Sequence, residues 1–144
     1  MPTDVRVGIV GAGANTTAKH IPLLQEIDGV EIMGVGNRSE ASSAAVARRF
    51  GIPRTYDHWE QAVADPDTNA IVIGTWPYLH CPVTLAALAA GKHVLTEARM
   101  AMNADEALRM LKASEAGPEQ VAQVVPSPIT LFADATIQRL IAEE

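Results

Sequence analysis

The chain has 144 residues with one cysteine, 48% hydrophobic and 4% aromatic residues, and a formal net charge of −6. That is one ordinary domain with enough aliphatic material for a core, and its excess acid opposes nucleic-acid or anionic-membrane partners, since no basic stripe offsets phosphate repulsion. Cys81 alone builds neither a disulfide framework nor a thiolate zinc site, and residues 1–4 lack a basic, then apolar leader, so a reducing, cytoplasmic setting is expected.

Short aliphatic runs alternate with longer alanine-rich segments, the pattern of βα units feeding a parallel sheet. A strand is predicted at 5–10, a turn at 11–13 and a helix from about Ala14, with Pro22 tolerated only where a second helical segment restarts. The next strand is 30–35. Ser39 caps a helix that runs to Phe50 and stops at Gly51. Asp57 and Glu60 form a capping-box pattern ahead of Ala62 and Val63, where Trp59 packs on the sheet.

A strand at 70–73 precedes a turn and a helix from about Pro82 to Ala90, ended by Gly91. The stretch 68–91 carries no Asp, Glu, Lys or Arg, yet Gly74, Pro77, His80, Pro82 and Thr84 fit a buried strand, turn and helix better than a membrane span. A strand follows at 93–96. Asn103 and Glu106 make a second capping box for a helix through Ala116, stopped by Gly117 and Pro118. A last strand at 121–125 and a helix at 133–142 complete the pattern, and Met100, Met102 and Met110 are expected to fill the core. The fold class is α/β, a doubly wound, mainly parallel sheet with helices on both faces.

Gly11 and Gly13 follow a strand and open a helix, the context of a dinucleotide fingerprint. The first glycine permits the tight turn, and the second lets a pyrophosphate approach the free amides of Ala14, Asn15 and Thr16. Thr16 stands where the fingerprint has glycine or alanine; a β-branched residue there separates helix from strand, and its hydroxyl is available to a phosphate. A P-loop is excluded because Ala14 and Asn15 replace its lysine and hydroxyl residue. A glycine turn with no nucleotide is the bland alternative.

After the second strand, a carboxylate would accept hydrogen bonds from the adenosine ribose and repel a 2′-phosphate. Asn37, Arg38 and Ser39 stand there instead. Asn37 removes the repulsion, Arg38 pairs with phosphate and stacks on adenine, and Ser39 adds a donor, which points to NADP ahead of NAD. A solvated Arg38 and a purely capping Ser39 are the competing reading.

The run Gly91-Lys92-His93-Val94-Leu95-Thr96-Glu97 resembles the Gly-Lys-His-Val-x-x-Glu run of the Gfo/Idh/MocA oxidoreductases, the glucose–fructose oxidoreductase and inositol dehydrogenase family. His20-Ile21-Pro22, Phe50-Gly51-Ile52-Pro53 and Thr75-Trp76-Pro77-Tyr78-Leu79-His80 are similar to family stretches in the same order. The resemblance implies that Thr75, Trp76, Pro77 and His80 line the cofactor and that Glu97 lies near the nicotinamide. It also implies a hydride-transferring enzyme with a sugar or polyol-type substrate. The family's Glu-Lys-Pro motif reads Glu97-Ala98-Arg99 here, so alanine replaces its proton-transfer lysine. Arg99 stays protonated and suits electrostatic contact with a substrate anion better than base catalysis, with a solvent-facing arginine as the alternative.

The family has a second α/β domain that supplies substrate contacts. Residues 1–144 are expected to form the dinucleotide-binding domain alone, with that second domain absent, inactive by itself and with homo-oligomerisation open. A non-catalytic nucleotide-binding or regulatory module is the other reading. A methyltransferase or CoA-binding domain would share the glycine turn, but Asn37 counts against the former and the 91–97 run against both. His20, His58, His80 and His93 are too scattered for a metal set, so no metal is expected.

Overall fold

The computed structural model describes residues 4–126 and 134–142. Six strands form one sheet: β1 (Val5–Val10), β2 (Val30–Gly36), β3 (Arg54–Tyr56), β4 (Ala70–Ile73), β5 (His93–Thr96) and β6 (Ala122–Val124). Every pairing is parallel, and the order is β3-β2-β1-β4-β5-β6. This order gives the doubly wound Rossmann arrangement, with the direction of winding reversing between β1 and β4. The connecting helices are α1 (Ile21–Gln25), α2 (Glu40–Phe50), α3 (Trp59–Ala64), α4 (His80–Ala89) and α5 (Ala104–Ala116), and α6 is Asp134–Ala142.

Side chains alternate across the pleat, so the central strands feed two cores. Val7, Ile9, Val35, Ala70 and Val72 pack with Ile21 and Ala47 on one face. Ile71, Ile73 and Val94 pack with Ala62, Val83 and Ala87 on the other. All four residues of β4 are buried, which is why it reads as an unbroken aliphatic run.

Several sequence expectations are corrected locally. β3 has only three residues, too few to show a period, and was not assigned from the sequence. The Asp57–Glu60 capping box does not form: His58 is the N-cap without a side-chain bond, and the Asp57 amide donates instead to Gln61 Oε1 at 2.8 Å. At α5 half the box forms. Asn103 Oδ1 accepts from the Glu106 amide at 2.9 Å, while Glu106 Oε2 turns to the Met102 amide at 3.0 Å. α4 starts at His80, directly after a 3-10 turn at Pro77–Leu79. Met110 is buried, but Met102 is 59% exposed and fills no core. Residue 133, at the start of the last predicted helix, lies outside the described residues.

Pro22 finds its place because the segment before it widens. Thr16–His20 is a π-turn, and α1 restarts with Pro22 in its first turn, where a missing N–H costs no helical bond. Lys92, within the motif at 91–97, is scaffold: its ammonium group is buried and donates to the carbonyls of Asp65 at 2.6 Å and Thr68 at 3.0 Å, and to the Thr68 hydroxyl. Burial pushes this amine below its ordinary value. It therefore ties the start of β5 to the loop before β4. The same loop is held from the other side. Arg54 and the Tyr56 hydroxyl both reach Asp65 Oδ2, at 2.8 and 2.7 Å. Lys92→Met keeps the volume but strands these acceptors, and is expected to lower unfolding free energy by about 1–3 kcal/mol in urea denaturation.

Candidate functional site

Four loops meet at the carboxyl edge of the sheet, after β1, β2, β4 and β5. Backbone bonds fasten them together: Gly11 N–H to Gly36 O at 2.8 Å, Gly74 N–H to Val10 O at 2.8 Å, and Glu97 N–H to Ile73 O at 3.0 Å. In an open parallel sheet this edge, at the point where strand order reverses, is where ligands bind. A concavity of about 370 Å³ bordered by Gln25, Glu31 and Pro53 lies at the amino ends of β2 and β3, the opposite edge.

Gly11 has φ +87°, and a Cβ there would lie 2.6 Å from Thr75 Cγ2 and 2.7 Å from the Gly74 carbonyl carbon. Only glycine fits both the angle and the space. Gly13 is different. A Cβ there would meet nothing within 4 Å, so the turn presents bare backbone to open space. Ala14 and Asn15 follow, also exposed, at a helix start whose first amides have no intrahelical partner. This cradle fits a pyrophosphate.

Thr16 is 1% exposed, so its side chain is turned away from that open space. Its hydroxyl lies where a Cβ on Gly74 would be, and the missing third glycine is compensated by a glycine on β4's exit. The expectation that its hydroxyl would reach a phosphate is corrected by this burial. His80 is corrected too. It is fully buried, with Nδ1 2.7 Å from Arg99 O and Nε2 3.0 Å from Thr75 O, so it clamps two loops together and does not line the crevice.

At the end of β2, Asn37 Nδ2 donates to Ala12 O at 3.3 Å, and its Oδ1 accepts from the Arg38 amide at 2.9 Å, joining this loop to the glycine turn. Ser39 caps α2 in a reciprocal box with Ser42. Arg38 is exposed, and among the described residues its guanidinium has no hydrogen bond or ion pair. Trp76 is 74% exposed beside half-buried Thr75 and Pro77 on the β4 loop.

Sequence reasoning left one group unassembled. Glu97 Oε1 accepts from Asn15 Nδ2 and lies 2.5 Å from His20 Nε2. Burial works to raise the carboxyl's pKa, but the bonds from His20, Asn15 and the Ala98 amide outweigh it and hold the group below its ordinary 4.5. Three residues separated by up to 82 positions thus form one polar cluster beside the glycine turn. All three stand in stretches singled out from the sequence, but nothing in their spacing joins them. Ala98 and Arg99 are exposed. Among the described residues no group of three or more His, Cys, Asp or Glu residues could hold a metal. Nor is any helix among them long and apolar enough to cross a membrane. Cys81 is buried, and burial raises its thiol pKa, which fits a small packed residue.

The sheet order and the bare turn define the class, a Rossmann-type dinucleotide-binding domain. Residues 5–124 match the family model described as oxidoreductase family, NAD-binding Rossmann fold, and the chain belongs to the Gfo/Idh/MocA family as its NAD(P)-binding domain. It is 32% identical over 121 residues to an uncharacterised oxidoreductase of Rhizobium meliloti, covering 84% of this chain and 36% of that protein. An inositol 2-dehydrogenase of Acidothermus cellulolyticus is 33% identical over 118 residues, 81% of this chain and 35% of the relative. Among solved structures, a biliverdin reductase from Synechocystis in complex with biliverdin and NADP+ matches with a TM-score of 0.78 and 29% identity, over 85% of this chain and 38% of that one. The chain thus spans little more than a third of the length of these relatives.

Two outcomes test the geometry. Gly74→Ala places a methyl group against Thr16 and Gly11 O, and is expected to cost about 1–3 kcal/mol by chemical denaturation, part of which Thr16→Ala restores. Because Glu97 is more acidic folded than unfolded, its stabilisation is present above the unfolded value and is lost as pH falls through the lower, folded one. Glu97→Gln is therefore expected to be less stable than wild type at neutral pH, with the gap closing below about pH 4 in denaturation series.

Proposed function

We propose that residues 1–144 are the cofactor-binding half of a nicotinamide-dependent oxidoreductase that prefers NADP and acts on a sugar or polyol-type substrate. The observation that carries the reading is the bare Gly13 backbone at the switch point, with Arg38 exposed and no carboxylate at the end of β2. Gly11, Gly13, Ala14, Asn15 and the Thr16 amide hold the pyrophosphate. Arg38 meets the 2′-phosphate and the adenine face, while Asn37 and Ser39 shape that loop. Thr75, Trp76 and Pro77 wall the crevice towards β5, and Glu97, aimed by Asn15 and His20, stands at its nicotinamide end.

When bound, the nicotinamide supplies hydride chemistry. The chain's own residues bind and orient it, and Arg99 offers a fixed positive charge to a substrate. The substrate class is supported by the inositol 2-dehydrogenase and by a 1,5-anhydro-D-fructose reductase of Ensifer adhaerens that is 36% identical over 113 residues. Substrate contacts come from a second domain, a part of this reading supported by relatives more than twice as long. A reducing cytoplasmic setting accords with the buried, unpaired Cys81. Ala98 favours a second reading, a nucleotide-binding module without turnover, because no side chain at 98 can take an alcohol proton.

Thermal shift with NADPH, NADH, S-adenosylmethionine and CoA tests the assignment. Binding to the folded state alone raises stability by about 2.7 kcal/mol at a hundredfold excess over Kd. NADPH is expected to give the largest shift, and Arg38→Ala to remove its advantage over NADH. No shift with either nicotinamide overturns the proposal.

A further inference from the structure

A cavity of about 220 Å³ lies on the face of β5 that carries Val94 and Thr96, between that strand, β6, α4 and α5. Met100, Met110, Leu111 and Val124 make most of its wall apolar, and no charged residue lines it. Thr84 from α4 and Thr96 from β5 also line it, at 3% and 2% exposure. Neither hydroxyl has a hydrogen-bond partner among the described residues. A buried, unpaired hydroxyl is destabilising, and valine would fill either position at almost the same volume without that cost. Two of them opening on one cavity are therefore unfavourable unless an occupant bonds to them.

We propose that this cavity is a binding site for a small neutral molecule with a compact aliphatic body and one hydroxyl or carbonyl, the polar atom bonding Thr84 and Thr96. An apolar cavity of about 150 Å³ already accommodates benzene, so this one takes a ring of that size with a substituent. A charged ligand is excluded, since no lining group offsets its desolvation. Thr84, Thr96, Ser114 and Gln123 give a water partners at the polar part of the wall, but the apolar remainder offers none, so water alone leaves it poorly filled. The site is separate from the dinucleotide crevice and does not depend on it. Thr96 and Met100 nevertheless bracket Glu97, Ala98 and Arg99, so an occupant would lie directly under that loop.

Cyclopentanol is a suitable probe, with cyclopentane as its apolar counterpart. In amide NMR titrations of the whole chain, cyclopentanol is expected to shift Thr84, Thr96 and Ala122 saturably. The double variant Thr84→Val, Thr96→Val should bind cyclopentanol about tenfold more weakly, cyclopentane equally well, and melt no lower than wild type. Three results overturn the proposal: no saturable shift in wild type, equal cyclopentanol affinity in the double variant, or a lower melting temperature for that variant. The last would mean that the hydroxyls already have partners.

Discussion

The carboxyl edge of the sheet depends on how closely the turn after β1 approaches the exit of β4. Gly11 and Gly74 meet there without side chains, at separations where a Cβ on either would collide with the other's backbone. That contact brings the start of the first helix over β4 and lets Thr16 bury its hydroxyl against Gly74. It also leaves Gly13 bare at the rim. A side chain at Gly11 or Gly74 would force the helix away from β4, whereas one at Gly13 would fill the open space in front of the turn. The other loops take their places from this one through the bonds of Gly11 to Gly36 and Gly74 to Val10.

The second organising element is charge. The first helix begins beside Glu97, whose carboxylate would oppose an incoming phosphate if it stood alone. Asn15 and His20, both on that first helical segment, hold it by one oxygen and stabilise its ionised form. The cluster thus joins the start of the first helix to the end of β5. Ala98, which has no ionisable side chain, follows at once.

Much of the sheet was legible because buried parallel strands are aliphatic and their helices end in glycine. Gly51 and Gly91 both adopt positive φ, as helix stops require. β3 was not legible, since Arg54, Thr55 and Tyr56 earn their place through pairing with β2 and not through any pattern of their own. The Asp57–Glu60 box failed because Gln61 competed for the Asp57 amide, and local spacing cannot rank such rivals. His80 shows the same limit in the site: its motif position suggested a cofactor contact, but it is fully buried, with its ring nitrogens 2.7 and 3.0 Å from the carbonyls of Arg99 and Thr75.

By itself the sequence determined the alternation of strand and helix, the glycine turn that follows the first strand, and the absence of a carboxylate after the second. These are local properties, carried by periodicity, backbone freedom and side-chain charge within a few residues. Tertiary structure alone decided that Thr16 would be compensated by Gly74, that Lys92 would be a buried brace, and that Asn15, His20 and Glu97 would form one cluster. Each of these joins residues far apart in the chain. Their meeting depends on the strand order and on which side chain reaches a partner first, and neither is written in local spacing.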